Sequence, residues 1–317
     1  MKVHLTFDVE VWCNGWDDLD GRFPAAFDRY VYGRSARGEY ALPATLDILQ
    51  RHGLRGTFFV EPLFSARFGP QYLERIVRLI EDAGQDVQLH LHPEWTDELA
   101  APPIADAGRK RQHLYHYTRD EQEQLLRYGL DLLRAHARSN VHAFRAGSYA
   151  ANADTYRALQ AVGLSVDSSL NRASDDSGRD LAEVRDPRSA FMLGGVQVYP
   201  VTVFRDGRGR DRPAQVGACG LAEMVQALAS AHALERRHFV IVSHNFEMLH
   251  PGRSDPDGIV VRRFEGLCRH LAEHRDRYDT CALEPAAPLD DAATGVPMVG
   301  TGATLMRLAA QAARRWG

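Results

Sequence analysis

The feature that most constrains the fold is the repeated alternation of short apolar strand segments with amphipathic helical segments. Residues 3–9 carry apolar side chains at every second position, which is the period of a β-strand. A helical pattern of leucines follows at 42–49, and residues 56–60 and 86–92 again have the composition of strands. Because repeated βα units place parallel strands beneath helices, this order predicts an α/β fold, either a closed barrel or an open doubly wound sheet.

The second half of the chain continues the pattern. Further strands are predicted at 141–146, 164–168, 196–204, 239–243 and 280–283, with helices near 153–161, 221–235 and 259–274. The long polar segments 93–117 and 171–195 are predicted to be loops over one rim of the sheet.

The chain changes character after about residue 285, where a link rich in Gly, Ala and Pro leads into a short helix at 303–315. Leu305, Leu308 and Ala309 lie on one side of this helix and arginines on the other. We expect it to pack on the domain rather than on a membrane, because its apolar face is short. The sequence therefore predicts a main domain over 1–285 and a linker with a C-terminal helix over 286–317.

Composition and charge exclude several classes of protein. The formal net charge of -4, the pI near 6.4 and the scattered basic residues do not favour nucleic-acid binding. No apolar stretch approaches the roughly 20 residues needed to span a bilayer, and no secretory signal is visible, so a cytoplasmic location is expected. The four cysteines form no CxxC pair, which argues against a zinc knuckle or a disulfide framework.

Two acids end the first predicted strand. Asp8 and Glu10 are two residues apart, so both project from the same face at the carboxyl end, where sites of parallel α/β proteins lie. Two buried carboxylates need a metal or a shared proton to compensate their charge. An exposed acidic loop is the alternative interpretation of this pair, since Asp17, Asp18 and Asp20 follow closely.

Two histidines repeat this arrangement at the end of another strand. His90 and His92 share one face and Pro93 follows directly. Neutral imidazoles together with a carboxylate are typical ligands of zinc and other first-row metals. Glu94 is a further candidate ligand or a solvated loop acid.

Other polar residues also follow strand segments. His244 ends the strand at 239–243 and is able to donate a proton to a leaving group near neutral pH. Arg145 could pair with Asp8, either to hold it as a carboxylate or as a structural salt bridge. Asp167 is a similar polar strand end. The sequence has neither a GxSxG elbow nor a glycine-rich phosphate loop, so serine-hydrolase and nucleotide-binding interpretations lack support.

Six segments, taken in chain order, resemble the motifs of the NodB-homology polysaccharide deacetylases, also called carbohydrate esterase family four. They are Thr6–Glu10, the helix and Thr-Phe-Phe strand over Leu42–Val60, Leu89–His92, Phe144–Tyr149, Asp167–Leu170 and Val242–Glu247. The resemblance covers roughly residues 1–285. It implies a distorted (β/α) barrel of about seven parallel strands and a divalent metal, most commonly zinc.

The resemblance also implies roles for individual residues. Asp8 would be the general base, oriented by Arg145, and His244 the general acid. The backbone N–H of Tyr149 would help to hold an oxyanion, and Glu10 and His90 would bind the metal. We also expect Trp12, Trp95 and Asp167 to contact the substrate.

The chain departs from the family pattern at two metal-site positions. The family's two histidines are four residues apart, but the position four after His90 is Glu94. Strand geometry instead offers His92 beside His90, so we predict Glu10, His90 and His92 as ligands, with Glu94 as the rival third ligand. The second acid is Glu10 rather than the more common Asp, which adds one methylene of reach.

These residues predict a metal-dependent hydrolase that removes an N-acetyl group from an amino sugar or a polysaccharide intermediate. The expected partner is an N-acetylated carbohydrate, carried on a nucleotide or a lipid by analogy with surface-polysaccharide assembly. A hydrolase of another amide, such as an N-formyl sugar or a ureide, is one alternative. A non-catalytic carbohydrate-binding protein on the same fold is another.

Overall fold

The computed structural model describes residues 1–174, 177, 181, 189–285, 289 and 295–316, with residues 315 and 316 described by their backbone alone. The strands of this part are β1 (Lys2–Val9), β2 (Arg34–Ser35), β3 (Gly38–Glu39), β4 (Gly56–Val60), β5 (Asp86–Leu91), β6 (Ala143–Ala146), β7 (Val166–Asp167), β8 (Phe191–Leu193), β9 (Val196–Val198), β10 (Val203–Arg205), β11 (Asp211–Pro213), β12 (His238–His244) and β13 (Asp279–Thr280). The helices are α1 (Leu19–Phe27), α2 (Leu42–Arg51), α3 (Phe64–Phe68), α4 (Pro70–Asp82), α5 (Arg119–Arg134), α6 (Ala153–Val162), α7 (Leu221–Ala233), α8 (Gly258–Glu273) and α9 (Thr301–Trp316).

One large sheet organises the molecule, with the strand order β12-β1-β4-β5-β6-β7-β9-β8. The neighbours from β12 to β9 all pair in parallel, β13 pairs in parallel with the start of β1, and β8 adds an antiparallel edge. Seven parallel strands curled beneath helices confirm the predicted (β/α) barrel class.

The barrel is distorted where β9 and β12 fail to pair directly. Between them, Thr202 N–H donates to Val240 O at 3.1 Å, and Val216 N–H donates to Val242 O at 3.1 Å. These irregular segments satisfy the backbone groups of β12 that another strand would otherwise pair. The strand predicted over 196–204 is accordingly split into β9 and β10, with Pro200, which cannot donate to a ladder, between them.

Both faces of the central strands are buried, as is usual for parallel sheets. Val3, Leu5 and Phe7 of β1 belong to the large apolar core shared with the helices. Helix α4, for example, buries its apolar stripe of Leu73, Ile76, Val77 and Ile80 completely. The other face carries the polar side chains of β1 and a smaller apolar cluster that includes Phe59 and Tyr199.

The connecting segments contain short elements that the sequence pattern did not indicate. Helix α1, with Pro24 inside it, occupies part of the acidic stretch for which an exposed loop was the alternative interpretation. Segment 93–117 contains two short 3₁₀ turns, and segment 171–195 contains the edge strand β8, although much of segment 171–195 lies outside the described residues.

The described residues contain no helix long and apolar enough to cross a bilayer.

Helix α9 contacts the domain through its polar side. Arg307 is 4% exposed, whereas Leu305 and Met306 are 51% and 58% exposed. Of the predicted apolar side, Leu305 and Ala309 therefore face solvent, whereas Leu308 is half-buried. The predicted boundary between 285 and 286 adjoins residues outside the described part, so that division of the chain stays a prediction.

Candidate metal and catalytic site

The predicted site residues converge at the carboxyl-terminal rim of the sheet. Register pairs Asp8 of β1 with His244 of β12, and His90 of β5 with Arg145 of β6. Because the strands are parallel, their last residues line one edge. A pocket of about 370 Å³ opens there, lined by Asp8, Glu10, Trp12, His92, Glu94, Gln112, Ala146, Ser148, Tyr149 and His244.

A carboxylate and two imidazoles meet beside this pocket, which Glu10 and His92 line and His90 does not. Glu10 Oε1 lies 3.1 Å from His90 Nε2 and 3.2 Å from His92 Nε2. All three residues are less than 10% exposed. Asn245 fixes Glu10 just beyond the end of β1, since its side chain accepts from Glu10 N–H at 3.1 Å and donates to Glu10 O at 3.2 Å.

The opposite nitrogen of each imidazole also has a partner. His90 Nδ1 lies 2.7 Å from Arg145 O, and His92 Nδ1 lies 3.2 Å from Glu94 Oε1. With a metal bound, donation from Nδ1 to these acceptors would leave the lone pair of each Nε2 available as a ligand. Such partners commonly orient histidine ligands of metals. Glu94 thus contacts the side of His92 that faces away from Glu10.

This arrangement fits a divalent metal. The candidate ligand atoms of Glu10, His90 and His92 all lie within 4.8 Å of one another. The two oxygen–nitrogen separations of 3.1 and 3.2 Å are close to the roughly 3.3 Å between neighbouring ligands of tetrahedral zinc. One carboxylate and two neutral imidazoles are a donor set that would hold zinc.

The charges of this cluster are strongly coupled. Burial alone would raise the pKa of Glu10, but the neighbouring His92, His90 and His244 hold it well below its usual range. Burial likewise opposes a charge on His92, yet Glu10 and Glu94 raise the pKa of that imidazole. The site therefore favours an anionic Glu10 together with positive charge beside it, which a metal cation also supplies.

Glycine is required beside His92 for steric reasons. A Cβ atom added at Gly147 would lie 2.6 Å from His92 Nδ1 and 2.8 Å from its Cγ. Any side chain at Gly147 therefore has to displace the imidazole. This glycine fixes the ring orientation from the side of β6.

Asp8 is held by a buried arginine. Arg145 is fully buried, and its Nη1 donates to Asp8 Oδ1 at 2.7 Å. Its other donors bind Thr6 Oγ1 at 2.8 Å, Ser168 Oγ at 2.9 Å and Ser168 O at 3.0 Å. The guanidinium thus fixes one oxygen of Asp8, and Asp8 as a whole contacts the pocket.

A histidine–glutamate pair faces Asp8. His244 Nε2 lies 4.0 Å from Asp8 Oδ2, and His244 Nδ1 lies 3.1 Å from Glu247 Oε1. Burial would lower the pKa of His244, but Glu247, Glu10 and Asp8 raise it to about 9. An imidazolium that faces a pocket in this way is a proton donor at neutral pH.

Glu247 was not predicted as a site residue. It accepts from Gly217 N–H at 2.6 Å and from Ser243 Oγ at 3.1 Å, and it also binds the Gln215 side chain. Its position three residues after His244 was the only available signal. The partners from 215–217 are distant in sequence and come close only in the folded chain.

The turn after β6 has unusual backbone geometry. Ser148 and Tyr149 both have positive φ angles, 54° and 58°, which are uncommon for residues other than glycine. Two consecutive left-handed residues cost of order 1–3 kcal/mol each, and such strain concentrates at functional sites. Both residues line the pocket.

The three predicted substrate contacts occupy different positions. Trp12 lines the pocket, and its indole N–H donates to Glu10 Oε2. Trp95 is only 1% exposed and packs beneath Trp12 and Trp16. Asp167 is fully buried and accepts from Tyr156 and Ser169, with burial raising its pKa to about 6. Neither Trp95 nor Asp167 lines the pocket, so only Trp12 is kept as a proposed substrate contact.

Comparison with known proteins supports the fold. No protein-family model matches the sequence, and no curated protein does. A candidate polysaccharide deacetylase from Mycobacterium smegmatis is similar with a TM-score of 0.50 and 18% identity, over 90% of this chain and 94% of that one. At this identity the likeness shows a shared fold, which confirms the predicted resemblance at that level.

Two more distant structures are also similar to this chain. A family 4 carbohydrate esterase from Streptomyces lividans, solved with acetate, has a TM-score of 0.45 and 14% identity, over 94% of this chain and 97% of that one. A family 4 pseudoenzyme from Bacillus anthracis has a TM-score of 0.41 and 13% identity, over 87% of this chain and 62% of that one.

Proposed function

We propose that this protein is a metal-dependent hydrolase that removes an N-acetyl group from an amino sugar or a polysaccharide intermediate. One observation carries the proposal. Glu10, His90 and His92 form a cluster with the composition of a metal site. Two of its members, Glu10 and His92, line the same pocket as a carboxylate held by arginine and a histidine held by glutamate. These are the parts that metal-assisted amide hydrolysis requires.

The metal is proposed to bind Glu10 Oε1 and the Nε2 atoms of His90 and His92. Glu94 orients His92 from its other nitrogen, so we favour His92 over Glu94 as the third ligand. When bound there, a zinc ion supplies a Lewis acid that polarises a carbonyl oxygen and lowers the pKa of water.

The remaining residues divide the proton transfers. Asp8, oriented by Arg145, accepts a proton from the attacking water as its oxygen bonds to the acyl carbon. The Tyr149 N–H donates to the oxyanion that develops on the carbonyl oxygen. His244 gives its proton to the amide nitrogen as the carbon–nitrogen bond breaks, which releases acetate and a free amine.

Purified protein tests the proposal directly. We expect about one zinc per chain, acetate release from N-acetylated sugars, and loss of that release on chelation and recovery on adding zinc. His90→Ala should lose both the metal and the activity, whereas Leu305→Ala, on the exposed side of α9, should keep both.

The substrate panel should contain free, nucleotide-linked and lipid-linked N-acetyl sugars, together with N-formyl analogues and ureides. Release of acetate supports the deacetylase, and cleavage of the formyl or ureide compounds alone would identify a different amide hydrolase. Stoichiometric metal with no turnover on any member, or an absence of bound metal, would contradict the proposal.

A further inference from the structure

The C-terminal segment, residues 297–314, is bound to the part of the chain that lies between β9 and α7. Arg205 N–H donates to Pro297 O at 2.8 Å, and Val299 N–H donates to Arg205 O at 2.9 Å, so this segment pairs in parallel with the end of β10. Arg307 of α9 then binds Glu223 at 2.9 Å and Asp206 at 3.2 Å. All three of these charged side chains are buried, which fixes the position and the rotation of the helix.

The last turns of α9 reach a short segment, 215–218, that follows β11. Gln311 Nε2 donates to Ala218 O at 3.4 Å, and Arg314 Nη1 donates to Gly217 O at 3.3 Å. Arg314 is itself oriented by Asp257, which receives its Nε at 2.5 Å and caps the N-terminus of α8. The helix thus holds two successive carbonyl groups of segment 215–218.

The same segment binds the carboxylate that orients His244. Gly217 N–H donates to Glu247 Oε2 at 2.6 Å, and the Gln215 side chain donates to the other oxygen, Oε1. Contact at Gly217 is close, because an added Cβ would lie 2.8 Å from Glu247 Oε2. Glu247 Oε1 in turn lies 3.1 Å from His244 Nδ1. Three successive polar contacts therefore connect Arg314 to the proposed acid.

We propose that α9 is a positioning element for His244, acting through segment 215–218 and Glu247. The inference rests on the proposed role of His244 as the acid that protonates the leaving amine. Arg212 also donates to Ala218 O at 3.3 Å, and Val216 N–H donates to Val242 O, so segment 215–218 stays attached without α9. Loss of the contacts from α9 loosens the Gly217 peptide within this segment, and Glu247 then orients the imidazole less firmly. Small errors in the orientation of a catalytic group reduce rates substantially.

The dependence of the rate on the leaving group separates this role from general stabilisation. An amide needs its nitrogen protonated before it departs, whereas 4-nitrophenyl acetate loses a stable phenolate without an acid. A defect confined to His244 should therefore slow amide cleavage and spare the activated ester. A loss of folded protein or of metal would slow both reactions equally.

The test uses the full-length, zinc-loaded protein with Gln311→Ala and Arg314→Ala combined. The matched control combines Leu305→Ala and Met306→Ala, which remove exposed side chains from the other side of the same helix. Gly217→Ala is a second variant, since its Cβ displaces Glu247 without altering α9. Hydrogen exchange of peptides covering 213–220 reports the mobility of the segment independently of activity.

We expect the Gln311/Arg314 variant to exchange faster over 213–220 and to lose at least about tenfold in kcat/KM on the N-acetyl sugar. Its rate on 4-nitrophenyl acetate should stay within about twofold of wild type. Gly217→Ala should likewise slow hydrolysis of the amide and spare that of the ester. Equal losses on both substrates, or no loss of amide activity in an active wild-type background, would overturn this inference alone. A wild-type protein without amide activity would overturn the proposed function, and this role of α9 with it.

Discussion

At the scale of single residues, the site depends on partners that hold each functional side chain from behind. Arg145 holds Asp8, Glu94 holds His92, and Glu247 holds His244. Each partner binds one oxygen of the carboxylate or the Nδ1 atom of the imidazole. The other oxygen of Asp8 and the Nε2 atoms of the two histidines, which are the proposed functional atoms, are thereby held in a fixed direction. This arrangement predicts that replacing a partner alters the chemistry of the residue it holds.

Removal of the Glu247 charge should change the pH dependence of hydrolysis. The proposed acid, His244, would give up a proton only while protonated, so kcat/KM for an amide should fall as pH rises through the pKa near 9. Glu247→Gln removes the first of the interactions that raise this pKa, and the alkaline limb should therefore move to lower pH. The profile of kcat/KM from pH 6 to 10 measures the shift. An unmoved alkaline limb would contradict the assignment of His244.

Gly147→Ala should weaken metal binding without replacing any of the proposed ligands. The added Cβ would lie within 3 Å of three His92 ring atoms, so the imidazole has to turn away. Changes behind a metal ligand typically cost about 10–100-fold in affinity, and we expect a loss of that order. Competition with a chromogenic zinc chelator measures it, with Gly108→Ala, where an added Cβ meets nothing, as the control. Equal affinities would show that His92 is not a ligand.

At the scale of elements, Arg145 joins three strands. It extends from β6 to Thr6 and Asp8 on β1 and to Ser168 just after β7. Loss of this side chain removes the donor to Asp8 Oδ1 and leaves the buried carboxylate with only the more distant His244, which costs several kcal/mol.

Arg145→Met should therefore lower the free energy of unfolding by about 3–5 kcal/mol in urea titrations. The double variant Arg145→Met with Asp8→Asn should recover part of this loss, because it removes the unpaired charge. If the double variant were as unstable as the sum of the two single variants, the pair would not be coupled.

Elements were predictable from sequence where their pattern was strong. The parallel strands β1, β4, β5 and β12 were identified by apolar period or composition, and their polar ends were expected at one rim because parallel strands end together. Helix α1 was missed because its acidic residues and Pro24 resemble a loop. The rotation of α9 depends on the buried Arg307, whose partners lie far away in sequence.

The same distinction applies to site residues. Alternation along strands was sufficient to bring Asp8, Glu10, His90 and His92 to one face, since side-chain direction in a strand is a local property. Burial of Trp95 and Asp167 depends on neighbouring loops and helices, and no local pattern reports it. Gly217 and Gln215 reach Glu247 only through the irregular closure between β9 and β12.

At the scale of the whole molecule, metal binding should stabilise the fold. Glu10 extends from the end of β1 and His90 and His92 from the end of β5, so a bound metal joins these strands through the buried rim. A ligand that binds only the folded state stabilises it by about 2.7 kcal/mol at a hundredfold excess over Kd. Thermal unfolding with and without zinc should show a higher Tm for the wild type, and His90→Ala should lose most of this difference. An equal rise in both proteins would indicate binding elsewhere.

The central claim is that Asp8 acts as a base beside a metal that Glu10 and the histidines hold. Asp8→Asn keeps the size of the side chain and an oxygen for Arg145, but it cannot accept the proton. We predict zinc content equal to that of the wild type, with amide hydrolysis reduced by about 10²–10⁴-fold. Acetate release by this variant at near-wild-type rate, with the metal in place, would contradict the account.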